Sequence, residues 1–142
     1  MKHIQKYILL FLCLLLTGNA VQAQLAAGRT PTTVIADALA QLPAETPEQY
    51  NRVIADLITT GEEGLLDLIG RMNPPGKQTN ETIDFAIAGW THYAATDDNA
   101  REMTADAFQK ALAQPLDKEV KAFIIRQLRT IATDDNVDAL AS

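Results

Sequence analysis

A five-residue stretch recurs almost unchanged in this chain. Thr96-Asp97-Asp98-Asn99-Ala100 returns as Thr133-Asp134-Asp135-Asn136-Val137, a step of 37 residues. The step holds beyond the turn. Ile83 falls on Val120, Ile87 on Ile124, Ala95 on Ala132 and Met103 on Leu140, while Asn80 and Asp117, both capping types, fall on each other. One period earlier Thr59 falls on Thr96 and Leu66 on Met103, with Gly61-Glu62-Glu63 as the break in place of Asp-Asp. A unit of this length holding two helices has too much apolar face to stand alone, and stacked copies bury that face against each other. The pattern predicts an all-α fold: a right-handed α-solenoid of stacked antiparallel helix pairs over 32–142, with about three and a half repeats.

The apolar spacing supports helices throughout, with no strand-like alternation. Ile35, Ala38, Leu39 and Leu42 form a first stripe, with Thr32 or Thr33 as cap and Pro43 as stop. Thr46-Pro47-Glu48-Gln49 is a strong start signal: a capping hydroxyl, a proline whose missing N–H costs nothing, and a glutamine that can close a capping box. The helix it opens carries Tyr50, Val53, Ile54, Leu57 and Ile58, and Gly61 ends it. Leu65, Leu66, Leu68, Ile69 and Met72 follow, up to the breaker Asn73-Pro74-Pro75-Gly76. Ile83, Ile87, Trp90 and Ala94 mark the next helix, capped by Asn80; Met103, Ala107 and Ala111, with Phe108 and Leu112 beside them, mark the one after Asp97-Asp98. Val120, Phe123, Ile124, Leu128 and Ile131 follow Asp117, and Val137, Leu140 and Ala141 open a seventh helix. Measured against the preceding unit, that last helix falls eight residues short at Ser142, so the final repeat reads as incomplete and the chain as a fragment or the product of an interrupted gene.

The first 23 residues read as an address. Lys2 and Lys6 precede the unbroken apolar run Ile8–Leu16, and Val21-Gln22-Ala23 is a small-x-small cleavage pattern. This is the layout of a secretory signal peptide cleaved after Ala23, and the run is too short to span a bilayer. A lipoprotein acylated at Cys13 is the weaker alternative, because Leu12 precedes the cysteine and Cys13 sits inside the run. Residues 24–31 are a small, polar, flexible lead-in. Export to the periplasm, the cell envelope or the medium follows. Cleavage removes Cys13 and His3, leaving no cysteine and the single histidine His92, so packing alone must stabilise the fold.

The stretch DKEVKAFIIRQLRTIATDDNVDALAS resembles the HEAT repeat family in its capped first helix, Asp-rich turn and second helix. The resemblance spans about residues 46–142. The sequence lacks the proline that many HEAT repeats place inside the first helix and the basic residue that ends the second, which leaves an armadillo-like unit open. The run RTPTTVIADALAQLPAETPEQYNRVIADL, behind its leader, is similar to the start of exported bacterial proteins in which HEAT-like repeats precede a 3-keto-disaccharide hydrolase domain. That resemblance implies a setting in carbohydrate processing at the envelope and carries over no catalytic residue.

Chemistry within the chain is sparsely signalled. A net charge of −6 argues against nucleic acid, which demands clustered Lys and Arg. Lys118, Lys121, Arg126 and Arg129 mix with Asp117 and Glu119 on an ordinary solvated face. The pairs Glu62-Glu63, Asp97-Asp98 and Asp134-Asp135 sit at helix starts, where they cap and meet the helix dipole; adjacent carboxylates do not face each other across a sugar. The calcium-loop spacing is absent. Pro74-Pro75-Gly76-Lys77 is a turn and not a phosphate loop. Asn80-Glu81-Thr82 matches a glycosylation sequon but reads first as a cap. His92 has no acid or hydroxyl of serine at three or four residues' distance. No cofactor or metal is expected, and the chain reads as a non-catalytic interaction module or scaffold. Its partner would be a protein, a sibling domain or a glycan. Trp90, Tyr93 and Phe108 are the candidate contacts, although Trp90 also continues a core stripe. A structural spacer and a segment of a hydrolase whose catalytic domain lies elsewhere are the alternatives.

Overall fold

The protein is described here by a computed structural model covering residues 28–132. Six helices and no strand occur among the described residues: α1 (Pro31–Ala40), α2 (Pro47–Ile58), α3 (Gly61–Gly70), α4 (Glu81–Ala94), α5 (Asp98–Leu112) and α6 (Lys118–Ile131). The leader 1–23, the repeated turn at Thr133–Val137 and the seventh helix lie outside them.

Local chemistry sets most boundaries. Pro31 opens α1, where a missing N–H is harmless, so Thr32 and Thr33 lie inside the helix and not at its cap. At α2 Thr46 Oγ1 accepts from Gln49 N at 3.1 Å, and Gln49 Oε1 accepts from Glu45 N at 3.0 Å. The reciprocal bond of the capping box therefore closes one residue upstream of the cap. Asp97 accepts from Ala100 N at 2.8 Å and Asp117 from Glu119 N at 2.8 Å, as expected of both. Asn80 departs from expectation. It occupies the capping position of α4 but makes no capping bond. Its side chain turns back to accept from Asn73 N at 2.8 Å and donate to Asn73 O at 2.9 Å, fastening the 74–79 loop at its neck. The side-chain amide thereby satisfies both the N–H and the C=O of Asn73, which a capping bond would leave open.

Each helix packs on its chain neighbours. Contacts also run α1 to α3 to α5 and α2 to α4 to α6, with α1 also touching α4. The helices thus form an odd row and an even row. The step of 37 reappears in the boundaries: α3 and α5 begin at 61 and 98, and α4 and α6 share both ends at that offset. Between the rows lies one core, with Ile35, Leu57, Leu65, Leu68, Ile87, Trp90, Phe108, Ile124 and Leu128 fully buried. Each such side chain contributes about 1.5–3 kcal/mol of transfer free energy. Lys110 of α5 donates to Glu62 of α3 at 2.6 Å across the outside of the odd row.

Candidate functional site

Helix α4 is the middle member of the even row, and its two flanks differ. Ala86, Ile87, Gly89, Trp90, Thr91 and Ala94 are buried, a face broader than the stripe read from spacing. The indole of Trp90 is 0% exposed, and its Nε1 donates to Thr104 Oγ1 at 2.9 Å, with Thr104 equally buried. Phe108 is also 0% exposed. Of the three aromatic residues singled out as contacts, Trp90 and Phe108 therefore belong to the core, because both lie on the α4 and α5 faces that meet between the rows. Tyr93 alone reaches the surface, at 42% exposure.

Tyr93 lines a cleft of about 470 Å³ between α2 and α4, together with Tyr50, Asn51, Ile54, Gly89 and His92. Gly89 makes this cleft possible. A Cβ there would run into the Tyr50 hydroxyl and the Ile54 side chain, so the missing side chain lets Tyr50 lie against the α4 backbone. Burial pushes the Tyr50 hydroxyl above its ordinary pKa of 10.0, which keeps it protonated as a donor. Two phenol rings, an imidazole and an amide form an amphipathic wall. It offers stacking and hydrogen bonds to a ligand but pairs no nucleophile with a base.

The other flank of α4 faces α6. Here a cleft of about 570 Å³ is lined by Asn80, Asp84, Phe85, Ala88 and Phe123. A smaller hollow of about 160 Å³ shares Asn80, Asp84 and Phe123 with it and adds Glu119 and Arg126. Phe85 is 46% exposed. Arg126 lies over the Phe123 ring, 5.8 Å from its centroid. Asp84 Oδ1 is shut off from water and has no hydrogen-bond partner. Desolvation raises the Asp84 pKa above 3.8, and the charge of Arg126 partly opposes the rise.

Phe85, Tyr93 and Ile125 are the exposed large hydrophobic residues among the described positions, and all three belong to α4 and α6. Spacing alone missed Phe85 and Asp84. The available signal was Phe85 itself, a large apolar side chain two residues off the Ile83–Ile87–Trp90 stripe and hence on the opposite side of the helix. Among the described residues no group of three or more His, Cys, Asp or Glu is placed to hold a metal, and no helix is long and apolar enough to cross a membrane. Comparison of the chain with family models, curated proteins and solved structures gives no match.

Proposed function

We propose that this chain is a non-catalytic interaction module of an exported protein, built as a HEAT-like α-solenoid that presents its even row to a protein partner or sibling domain. One observation carries this reading: among the described residues the exposed large apolar side chains lie on the even row, on α4 and α6, and a cleft opens on each flank of α4. A few aromatic anchors in a shallow groove suffice for recognition on such a surface. The solenoid reading draws support from the 37-residue offset of α3 and α4 onto α5 and α6, and from the two-row contact pattern. The export setting and the association with a 3-keto-disaccharide hydrolase domain rest on the leader pattern and the resemblance. A structural spacer is the second reading, favoured by the burial of Trp90 and Phe108.

A photo-crosslinking amino acid placed at Tyr93 on α4, or at Asp106 on the exposed side of α5, separates the two. Added to an envelope extract of the native host, the interaction module crosslinks from position 93 and not from 106. Equal labelling from both rows, or from neither, refutes the module. N-terminal sequencing of the exported product tests the leader, with Gln24 as the expected first residue.

A further inference from the structure

The α4–α6 cleft combines features that select a ligand by charge as well as by shape. Phe85 and Phe123 supply aromatic walls from two different helices. Asp84 lines the same cleft, and its Oδ1 is enclosed there without a hydrogen-bond partner. A carboxylate left in this state carries a desolvation cost that the charge of Arg126 offsets only in part, and a further cation brought beside it offsets more. Arg126 fills that role only in part, since its guanidinium lies over Phe123. Glu81 and Glu119 add negative charge at the rim, against the single positive charge of Arg126. The chemistry that fits is an apolar stem ending in a cation. An alkyl chain packs against the rings, and an ammonium gains from both the carboxylate and the negative ring faces.

We propose that the cleft between α4 and α6 receives a lysine side chain of the partner protein, its methylenes between Phe85 and Phe123 and its ammonium at the Asp84 carboxylate. This assignment rests on the interaction-module reading and gives it a partner chemistry. Asp84 would set specificity, the two rings would supply most of the contact area, and Arg126 would act as a resident competitor for the same rings and carboxylate.

The test is an amide-resonance titration of the full 142-residue chain with Nα-acetyl-lysine methylamide, and with the norleucine analogue of equal stem and no charge. The expected result is a saturable shift at Asp84, Phe85 and Phe123, at least tenfold weaker for norleucine. Asp84→Asn weakens lysine binding at least tenfold, while Arg126→Gln strengthens it severalfold. Unchanged resonances away from the cleft show that each variant remains folded. Equal binding of norleucine, an unaffected Asp84→Asn variant, or weaker binding after Arg126→Gln each overturns the proposal, the last pointing to an anionic ligand. A self-association of the chain that seats α4 against a second copy, and that the lysine analogue does not compete, also overturns it. If crosslinking from position 93 persists while the lysine analogue fails, the cleft assignment falls and the interaction module stands.

Discussion

Replacing Thr104 by valine removes one atom pair from the middle of the core with almost no change of shape. In the native fold Thr104 Oγ1 accepts from Trp90 Nε1 at 2.9 Å, and both residues are 0% exposed. Valine fills the same volume, so no cavity opens, but the indole N–H is left buried without an acceptor. The cost of such an orphaned donor is about 1–3 kcal/mol. For a chain of this size that lowers the melting temperature by about 4–12 °C. In urea, a loss of about 2 kcal/mol moves the midpoint by about 1 M. Circular dichroism at 222 nm is the suitable probe, because the companion variant Trp90→Phe removes the chain's single tryptophan fluorophore. Trp90→Phe deletes the donor, so the double variant should cost less than the two single ones summed, by about 0.5–1.5 kcal/mol. A Thr104→Val midpoint matching the wild type, together with an additive cycle, would refute this account of the core.

Three further outcomes follow from the same geometry. Gly89→Ala drives a Cβ into Tyr50 and Ile54 and should destabilise by about 1–3 kcal/mol in thermal melts, with much of the loss recovered when Tyr50 is also cut back to alanine. Asp97→Ala removes the acceptor for Ala100 N and should cost about 0.5–2 kcal/mol; a variant within error of the wild type would mean that Arg101, which donates to Ala95 O at 2.6 Å, holds that turn by itself. Asp84 has its pKa raised above 3.8 by burial, so it ionises first in the unfolded chain. The stability it supplies at low pH is then lost as pH rises through the native value. Asp84→Asn should therefore be more stable than the wild type near pH 7, with the margin shrinking as pH falls through the native value towards 3.8. A margin that is flat across urea midpoints at both pH values would contradict the burial argument.

The helices were readable because their signals are local. Thr46-Pro47, Asp97 and Asp117 announce helix starts within three residues, and the apolar stripes of α2 and α6 repeat at helical spacing. What escaped the sequence depends on partners far along the chain. Thr104 looks like a polar surface residue until Trp90, fourteen positions away, is seen to donate to it. Glu62 reads as a helix-dipole charge until Lys110 meets it 48 positions later. The Asn80 cap failed because two competing uses of one amide have the same local sequence, and the bond to Asn73 closes a loop that spacing does not reveal. The clefts are harder still, since each needs two helices, and of the three candidate contact residues only Tyr93 lies on a wall of either.

The Asn73–Asn80 clasp has a practical consequence. Residues 74–79 are all exposed, and the chain enters and leaves this excursion through one paired amide. Lengthening a tied excursion adds little closure entropy. A foreign epitope or a fluorescent reporter grafted between Gly76 and Lys77 should therefore be carried as a passenger, giving a handle on the molecule that leaves both of its helical rows untouched.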